Sequence, residues 1–197
     1  MNKKIQQLEE ETKNLHYNPI QIGHDFSEKS AQEMFTNFWD YHIPFVIKKS
    51  RELAVKYKAD EEIAWASAIL HDIARLDNAE PHDEIGSEKA YNILIEKGFK
   101  EDFAKKVKDI ILTHRCKKYP PENLEQKILA TADAMSHFLT PFYFWIAKDF
   151  KQTFKEMLEK DLVKIERDYN NKIFFEDEKK EVEKCYEVIK NWCKYEK

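Results

Sequence analysis

The stretch DEEIAWASAILHDIA, residues 60–74, decides how the rest of the chain is read. Asp60 followed by Glu61 and Glu62 makes a helix start. A short carboxylate side chain satisfies free backbone N–H groups there, and negative charge suits the positive end of the helix dipole. Beyond it the residues are apolar on nearly every side, so this helix belongs in the centre of a domain. Yet the run closes on His71-Asp72. An imidazole and a carboxylate buried without partners are costly, and a divalent metal ion is the natural counter-charge. Adjacent helical residues point about 100° apart, so both reach one ion only near a helix end or with the ion lodged between them.

Working outward, residues 30–58 carry Met34, Phe35, Phe38, Trp39, Tyr41, Phe45, Val46, Leu53, Ala54 and Tyr57 at helical spacing. Pro44 either starts a second helix there or kinks one. Residues 75–83 read as a polar loop, 84–98 as a helix stopped by Gly98, and 101–115 as an amphipathic helix. Pro120-Pro121 breaks the chain before a helix over 122–139, which Pro141 closes. An aromatic stretch, FYFWIAKDF (142–150), leads into two charged amphipathic helices, roughly 148–169 and 177–195, whose charged faces read as solvated surface. With only three glycines and six prolines, the chain is poor in the turns that sheets need. The expectation is an all-α, single-domain bundle of about eight helices. Residues 1–29 form a polar N-terminal segment, beginning with a helix over 1–15. Residues 30–140 form the metal-binding core, and 141–197 are C-terminal helices packed on it.

Composition narrows the function. Net charge is −4 and the basic residues are spread along the chain, which argues against gripping nucleic acid. No stretch approaches the ~20 apolar residues a membrane span needs. Cys116, Cys185 and Cys193 form no CxxC pair, and an odd count suits reduced thiols. A cytoplasmic protein is expected.

The chain has seven histidines, and His24, His71 and His82 are each followed by Asp, so the dipeptide alone says little. Context separates them: only His71-Asp72 ends an apolar helix, whereas His24-Asp25 reads as structural. His42 lies on the preceding aromatic-rich helix, and Asp133 sits in the apolar run KILATADAM. His42, His71, Asp72 and Asp133 give a mixed nitrogen and oxygen set suited to Mn, Fe, Co, Ni, Zn or Mg. His82 and His114 occupy helix junctions. With Asp72 as a bridge they would hold a second ion about 3.5–4 Å from the first. Arg75, one turn beyond Asp72, and then Lys89 and Arg115 are the cations expected to meet a phosphate. Asp72 and Arg75 are the expected catalytic pair. His16 and His137 read as incidental, although His137 lies one turn past Asp133 and within supporting reach of it. The aromatic stretch suits base stacking, the core or a dimer face.

The ordered set His42, His71-Asp72, His82, His114 and Asp133, carried by AILHDIAR, HDEIGSEKAYNIL, ILTHR and ILATADAM, resembles the HD superfamily of metal-dependent phosphohydrolases. The similar stretch runs over about 39–139. The resemblance implies an all-α bundle with His42, His71, Asp72 and Asp133 as the shared metal ligands. It implies that His82 and His114 match the second-metal positions of two-metal members, among them certain diadenosine-polyphosphate hydrolases and cyclic-dinucleotide phosphodiesterases. There are departures. The Gly-Tyr-Pro signature of the cyclic-dinucleotide enzymes is absent. Arg75 stands where nucleotidase members often carry Glu, and His114-Arg115 replaces a common His-His pair. The expected function is hydrolysis of a phosphate ester or anhydride in a small phosphorylated substrate, a nucleotide first, by a chain able to form a homodimer. A di-iron oxygenase on the same residues and a non-catalytic metal- or nucleotide-sensing module are the alternatives.

Overall fold

Ten α-helices, and no strand, make up the described residues, 2–18, 28–146 and 153–194, of the computed structural model. The central helix, Glu61–Leu70, starts where the sequence places it: the Asp60 carboxylate accepts from the N–H groups of Glu62 at 3.0 Å and Ile63 at 3.1 Å. Every residue from Ile63 to Leu70 is buried. At roughly 1.5–3 kcal/mol for each large apolar side chain removed from water, Trp65, Ile69 and Leu70 anchor the domain here. The helix stops at Leu70, four residues before the expected 74. Residues Ile73–Asp77 tighten into a 3-10 turn, and Asn78 closes it in the left-handed region at φ 51. The expected polar loop is therefore partly ordered, because Leu76 is buried in the core.

Around this axis α1 (Asn2–Tyr17) sets Ile5, Leu8, Thr12 and His16 inward at three- and four-residue spacing. The central helix is α4 in chain order; α2 (Glu28–Tyr41) and α3 (Ile43–Tyr57) precede it and are divided at His42. Pro44 falls in the first turn of α3, where its missing N–H costs nothing, so it starts a helix rather than kinking one. Next come α5 (His82–Glu96), stopped by Gly98 at φ 71, and α6 (Glu101–Thr113). The reciprocal Asn123–Gln126 cap starts α7 (Leu124–Leu139), which is buried almost throughout. The short α8 (Phe142–Ile146) puts Phe142 and Trp145 in the core and leaves Phe144 exposed.

The C-terminal elements are α9 (Phe154–Arg167), a π-helical turn (Asp168–Lys172) and α10 (Glu176–Cys193). A second apolar cluster of Ala134, Met135, Phe138, Ile165, Ile173, Val182 and Tyr186 packs α9 and α10 on α7. Residues His24, Asp25 and 147–150 lie outside the described residues. No helix among the described residues is long and apolar enough to cross a membrane.

Candidate metal centre

Helix ends deliver five of the six residues that the sequence singles out as ligands. His42 is the break between α2 and α3, His71 caps α4, Asp72 follows it, His82 opens α5 and His114 caps α6. Asp133 comes from the middle of α7. All six are buried. Asp72 joins them. Its Oδ2 lies 3.5 Å from His42 Nε2 and 3.6 Å from His71 Nε2. Its Oδ1 lies 3.4 Å from His82 Nε2 and 3.8 Å from His114 Nε2. Asp133 Oδ1 approaches the first pair, 3.5 Å from His42 Nε2 and 3.9 Å from His71 Nε2. One carboxylate thus faces two sets of imidazoles through separate oxygens. His42, His71 and Asp72 form one group compact enough for an ion, and Asp72, His82 and His114 form another.

The hydrogen bonds behind the rings decide what the inner nitrogens offer. His71 Nδ1 lies 2.8 Å from the Ala68 carbonyl oxygen, and His114 Nδ1 lies 2.6 Å from that of Ile111. A carbonyl only accepts, so each ring carries a proton on Nδ1, which in the neutral ring leaves the lone pair on Nε2. Ser136 Oγ donates to the Asp133 carbonyl at 2.6 Å and accepts from His42 Nδ1 at 2.7 Å. His42 Nε2 therefore also carries a lone pair, and it lies 3.1 Å from His71 Nε2. Two buried lone pairs facing each other call for a cation. The residues present fit a divalent metal on that ground.

Electrostatics agree. Burial pushes the His42 imidazole down to about 4, against the pull of Asp72 and Asp133, so it is a neutral ligand. Burial also lowers His114, well below the ordinary range and with His82 adding to it, and lowers His82. For Asp72, burial would raise the carboxyl, but His71, His42, His82 and Arg75 together hold it well below the carboxylate range. Asp133 behaves alike, with Lys172 the largest influence against burial, followed by His137 and His42.

Lys172 extends the centre beyond what the sequence suggested, and His137 takes the supporting place beside Asp133 that its position one turn on allowed. Lys172 Nζ, buried, forms an ion pair with Asp133 Oδ2. His137 Nε2 lies 3.3 Å from Asp133 Oδ1, and its ring stacks on that of His42, 5.4 Å between centroids. Its Nδ1 lies 2.8 Å from Asp168 Oδ2. Asp168 is fully buried and also takes Lys164 at 2.5 Å and Arg167 at 2.9 Å. His137 is thus not incidental; with His42 and Asp133 it forms a third group compact enough for an ion. The charged faces of the C-terminal helices are likewise not all solvated. The π-helical turn rotates Asp168 and Lys172 inward, and α7 supplies their partners.

At the other flank Glu80, which the sequence reading passed over, organises three expected site residues. It meets Arg75 Nη1 at 2.6 Å, Arg115 Nη1 at 2.9 Å and His82 Nδ1 at 3.0 Å. Burial opposes its ionisation, but His82, Arg75 and Arg115 bring it down to about 2. His82 thereby has its proton fixed on Nδ1, like its neighbours. Arg75 Nε lies 3.9 Å from Asp72 Oδ1, while Arg115 also pairs with Asp83 at 3.0 Å. Lys89 is engaged elsewhere, with Asp77 at 2.6 Å. His16, outside the cluster, is buried and lies 3.1 Å from the Phe35 carbonyl. Phe142 packs on His42 and His137, so the described part of the aromatic stretch lines the centre's core side, while the exposed Phe144 lies 6.3 Å from the Trp192 ring.

A family model described as HD domain matches residues 39–137, half of the chain. The chain belongs to the HD domain family. Its fold is similar to the crystal structure of a predicted HD superfamily hydrolase from an uncultured Thermotogales bacterium. The TM-score is 0.58 and the identity 21%, over 96% of this chain and 88% of that one. No curated protein matches the sequence.

Proposed function

We propose that this chain is a metal-dependent HD-type hydrolase cleaving a phosphate ester or anhydride in a small metabolite, with nucleotides the first class. The observation that carries the reading is Asp72, which turns one oxygen to His42 and His71 and the other to His82 and His114. His42, His71, Asp72 and Asp133 would hold one ion; Asp72, His82 and His114 would hold a second. Divalent ions in such a pair act as Lewis acids and bring the pKa of a coordinated water toward neutrality.

The protein's own groups favour an anionic substrate. The carboxylates of Asp72, Glu80, Asp83, Asp133 and Asp168 already have Arg75, Arg115, Lys164, Arg167 and Lys172 beside them. Charge brought by divalent ions is then offset only by an incoming anion. Arg75 and Arg115 stand at the partly exposed flank, where guanidinium groups match phosphate oxygens and stabilise charge on them as the bond breaks. Glu80 orients both arginines. The buried Asp72 carboxylate is kept ionised and accepts hydrogen bonds or metal through either oxygen.

The test is product release from phosphomonoesters, nucleoside mono- and triphosphates and dinucleoside polyphosphates, with Mn(II), Co(II), Fe(II) or Mg(II). Wild type is expected to turn over at least one class and Asp72→Ala none. No turnover by wild type across the panel, or turnover undiminished in Asp72→Ala, contradicts the proposal. The same panel run with and without air separates hydrolysis from oxygen-dependent cleavage.

A further inference from the structure

Lys172 sets a cation of the protein's own beside the candidate metal centre. Its ammonium is buried and paired with Asp133 Oδ2, the oxygen that faces away from the His42 and His71 nitrogens. The residue lies beyond the segment matched to the HD family, residues 39–137. Its approach is fixed from both sides. Thr131 Oγ1, on α7, donates to the Lys172 carbonyl at 3.2 Å and accepts from the Phe174 N–H at 3.1 Å. The turn is thereby stitched to the helix that carries Asp133. Asp168, the nearby alternative acceptor, is already committed to His137, Lys164 and Arg167. Lys172 is buried, with Asp133 as its ion-pair partner.

We infer that Lys172 is a positioning residue that restrains metal binding: it holds Asp133 to single-oxygen ligation and weakens the affinity of the ion that Asp133 shares with His42 and His71. The inference rests on the metal-centre reading above and deepens it. Its physics has two parts. With Oδ2 taken by the ammonium, Asp133 offers the ion Oδ1 alone rather than a chelating pair. A fixed positive charge in a poorly screened interior also opposes a divalent cation arriving at the same carboxylate. In return, Lys172 gives the ion-free protein a counter-charge for a buried carboxylate that would otherwise be stranded. The ion-free state is stabilised and the loaded one is not, so the centre is set to exchange its ion rather than to lock it in.

A supporting scaffold residue and a restraining one make opposite forecasts. The measurement is calorimetric titration of metal-free full-length protein with Mn(II), in a His82→Ala/His114→Ala background so that only the ion on Asp133 is read. Lys172→Met and Lys172→Gln are expected to bind on the order of tenfold tighter, within the usual range of coupling between linked sites. Lys172→Arg, which keeps the charge, is expected to stay within about threefold of the parent. Melting of the metal-free forms supplies a second readout. Lys172→Met should melt lower than the parent without Mn(II) and gain more on adding it. Should Lys172→Met fail to fold, Lys172→Gln, which retains an N–H for Asp133, carries the test. Equal or weaker binding by the uncharged variants overturns the inference while leaving the metal centre standing. A parent protein that takes up no Mn(II) overturns both.

Discussion

The two carboxylates of the centre are served by different kinds of neighbourhood. At Asp72 the supporting groups come from one continuous stretch and its close partners: Arg75, Glu80 and His82 within a few residues, and Arg115 from the next helix. This flank is partly exposed, and Glu80 is half in solvent. At Asp133 the support is buried and remote in sequence, with Lys172 and Asp168 arriving from the turn between α9 and α10. An exposed flank can trade its ion pairs for a substrate's charges at little cost, because surface pairs are weak. A buried flank cannot, since any partner it loses leaves a charge stranded. The Asp72 side is built to receive, and the Asp133 side to keep its own ion pairs.

That contrast can be broken or sharpened in order of expected size. On the proposed reading Asp72→Ala removes the carboxylate that would serve both ions, so hydrolysis should fall on the order of a thousandfold or more, measured as initial rate with saturating metal. A loss under about tenfold would mean that the centre does not depend on its bridge. Asp168→Ala should destabilise the fold by about 3–5 kcal/mol in urea titration, because His137, Lys164 and Arg167 lose a fully buried partner. A change below about 1 kcal/mol would place that network with the weak surface pairs.

The metal-free protein should also lose stability as pH falls. His16 and His42 are both held down to about 4 by burial, whereas an unfolded chain protonates its histidines near the ordinary 6.5. Above that value neither state takes up a proton, and stability is full. Between about 6.5 and 4 the unfolded state binds protons that the folded state refuses, at roughly 1.4 kcal/mol per pH unit for each histidine. His82 and His114, lowered for the same reason, act in the same direction. Urea midpoints flat across that window would contradict the burial argument. The smallest effect is expected at Glu80. Glu80→Gln should change stability by less than about 1 kcal/mol, because its pairs are partly exposed. It should weaken the ion at His82 and His114 roughly tenfold, since the carboxylate sets the His82 tautomer. Mn(II) titration at that site measures it, and unchanged affinity would remove Glu80 from the centre.

The same contrast explains what was legible in the sequence. His71 and Asp72 announce themselves because an imidazole and a carboxylate follow eight buried apolar or small residues, a local conflict that needs a partner. Asp133 does so within KILATADAM, and His42 stands out as a histidine in the aromatic-rich run before Pro44. The helical class follows from periodicity and from the scarcity of glycine. The end of α4 was not legible, because hydrophobic periodicity continues through Ile73 and Ala74 even though the backbone has left the helix. Lys172 and Asp168 were not legible either. A lysine in an amphipathic helix looks the same whether it faces water or a buried carboxylate, and the π-helical turn that rotates it inward has no spacing signature. One signal was available: DYNNK is followed at once by Ile173, Phe174 and Phe175, which marks a turn pressed against the core. His137 was half legible: its position one turn beyond Asp133 sets both residues on one face of α7, but nothing in the sequence marks its second partner, Asp168.

The central claim is that Asp72 is shared between two ions, and elemental analysis of metal per chain tests it most directly. Protein purified without a chelating tag and loaded with Mn(II) or Fe(II) is expected to carry close to two ions, falling to about one in His82→Ala/His114→Ala. One ion in both proteins would return His82 and His114 to substrate contacts, and none in either would contradict the metal centre itself.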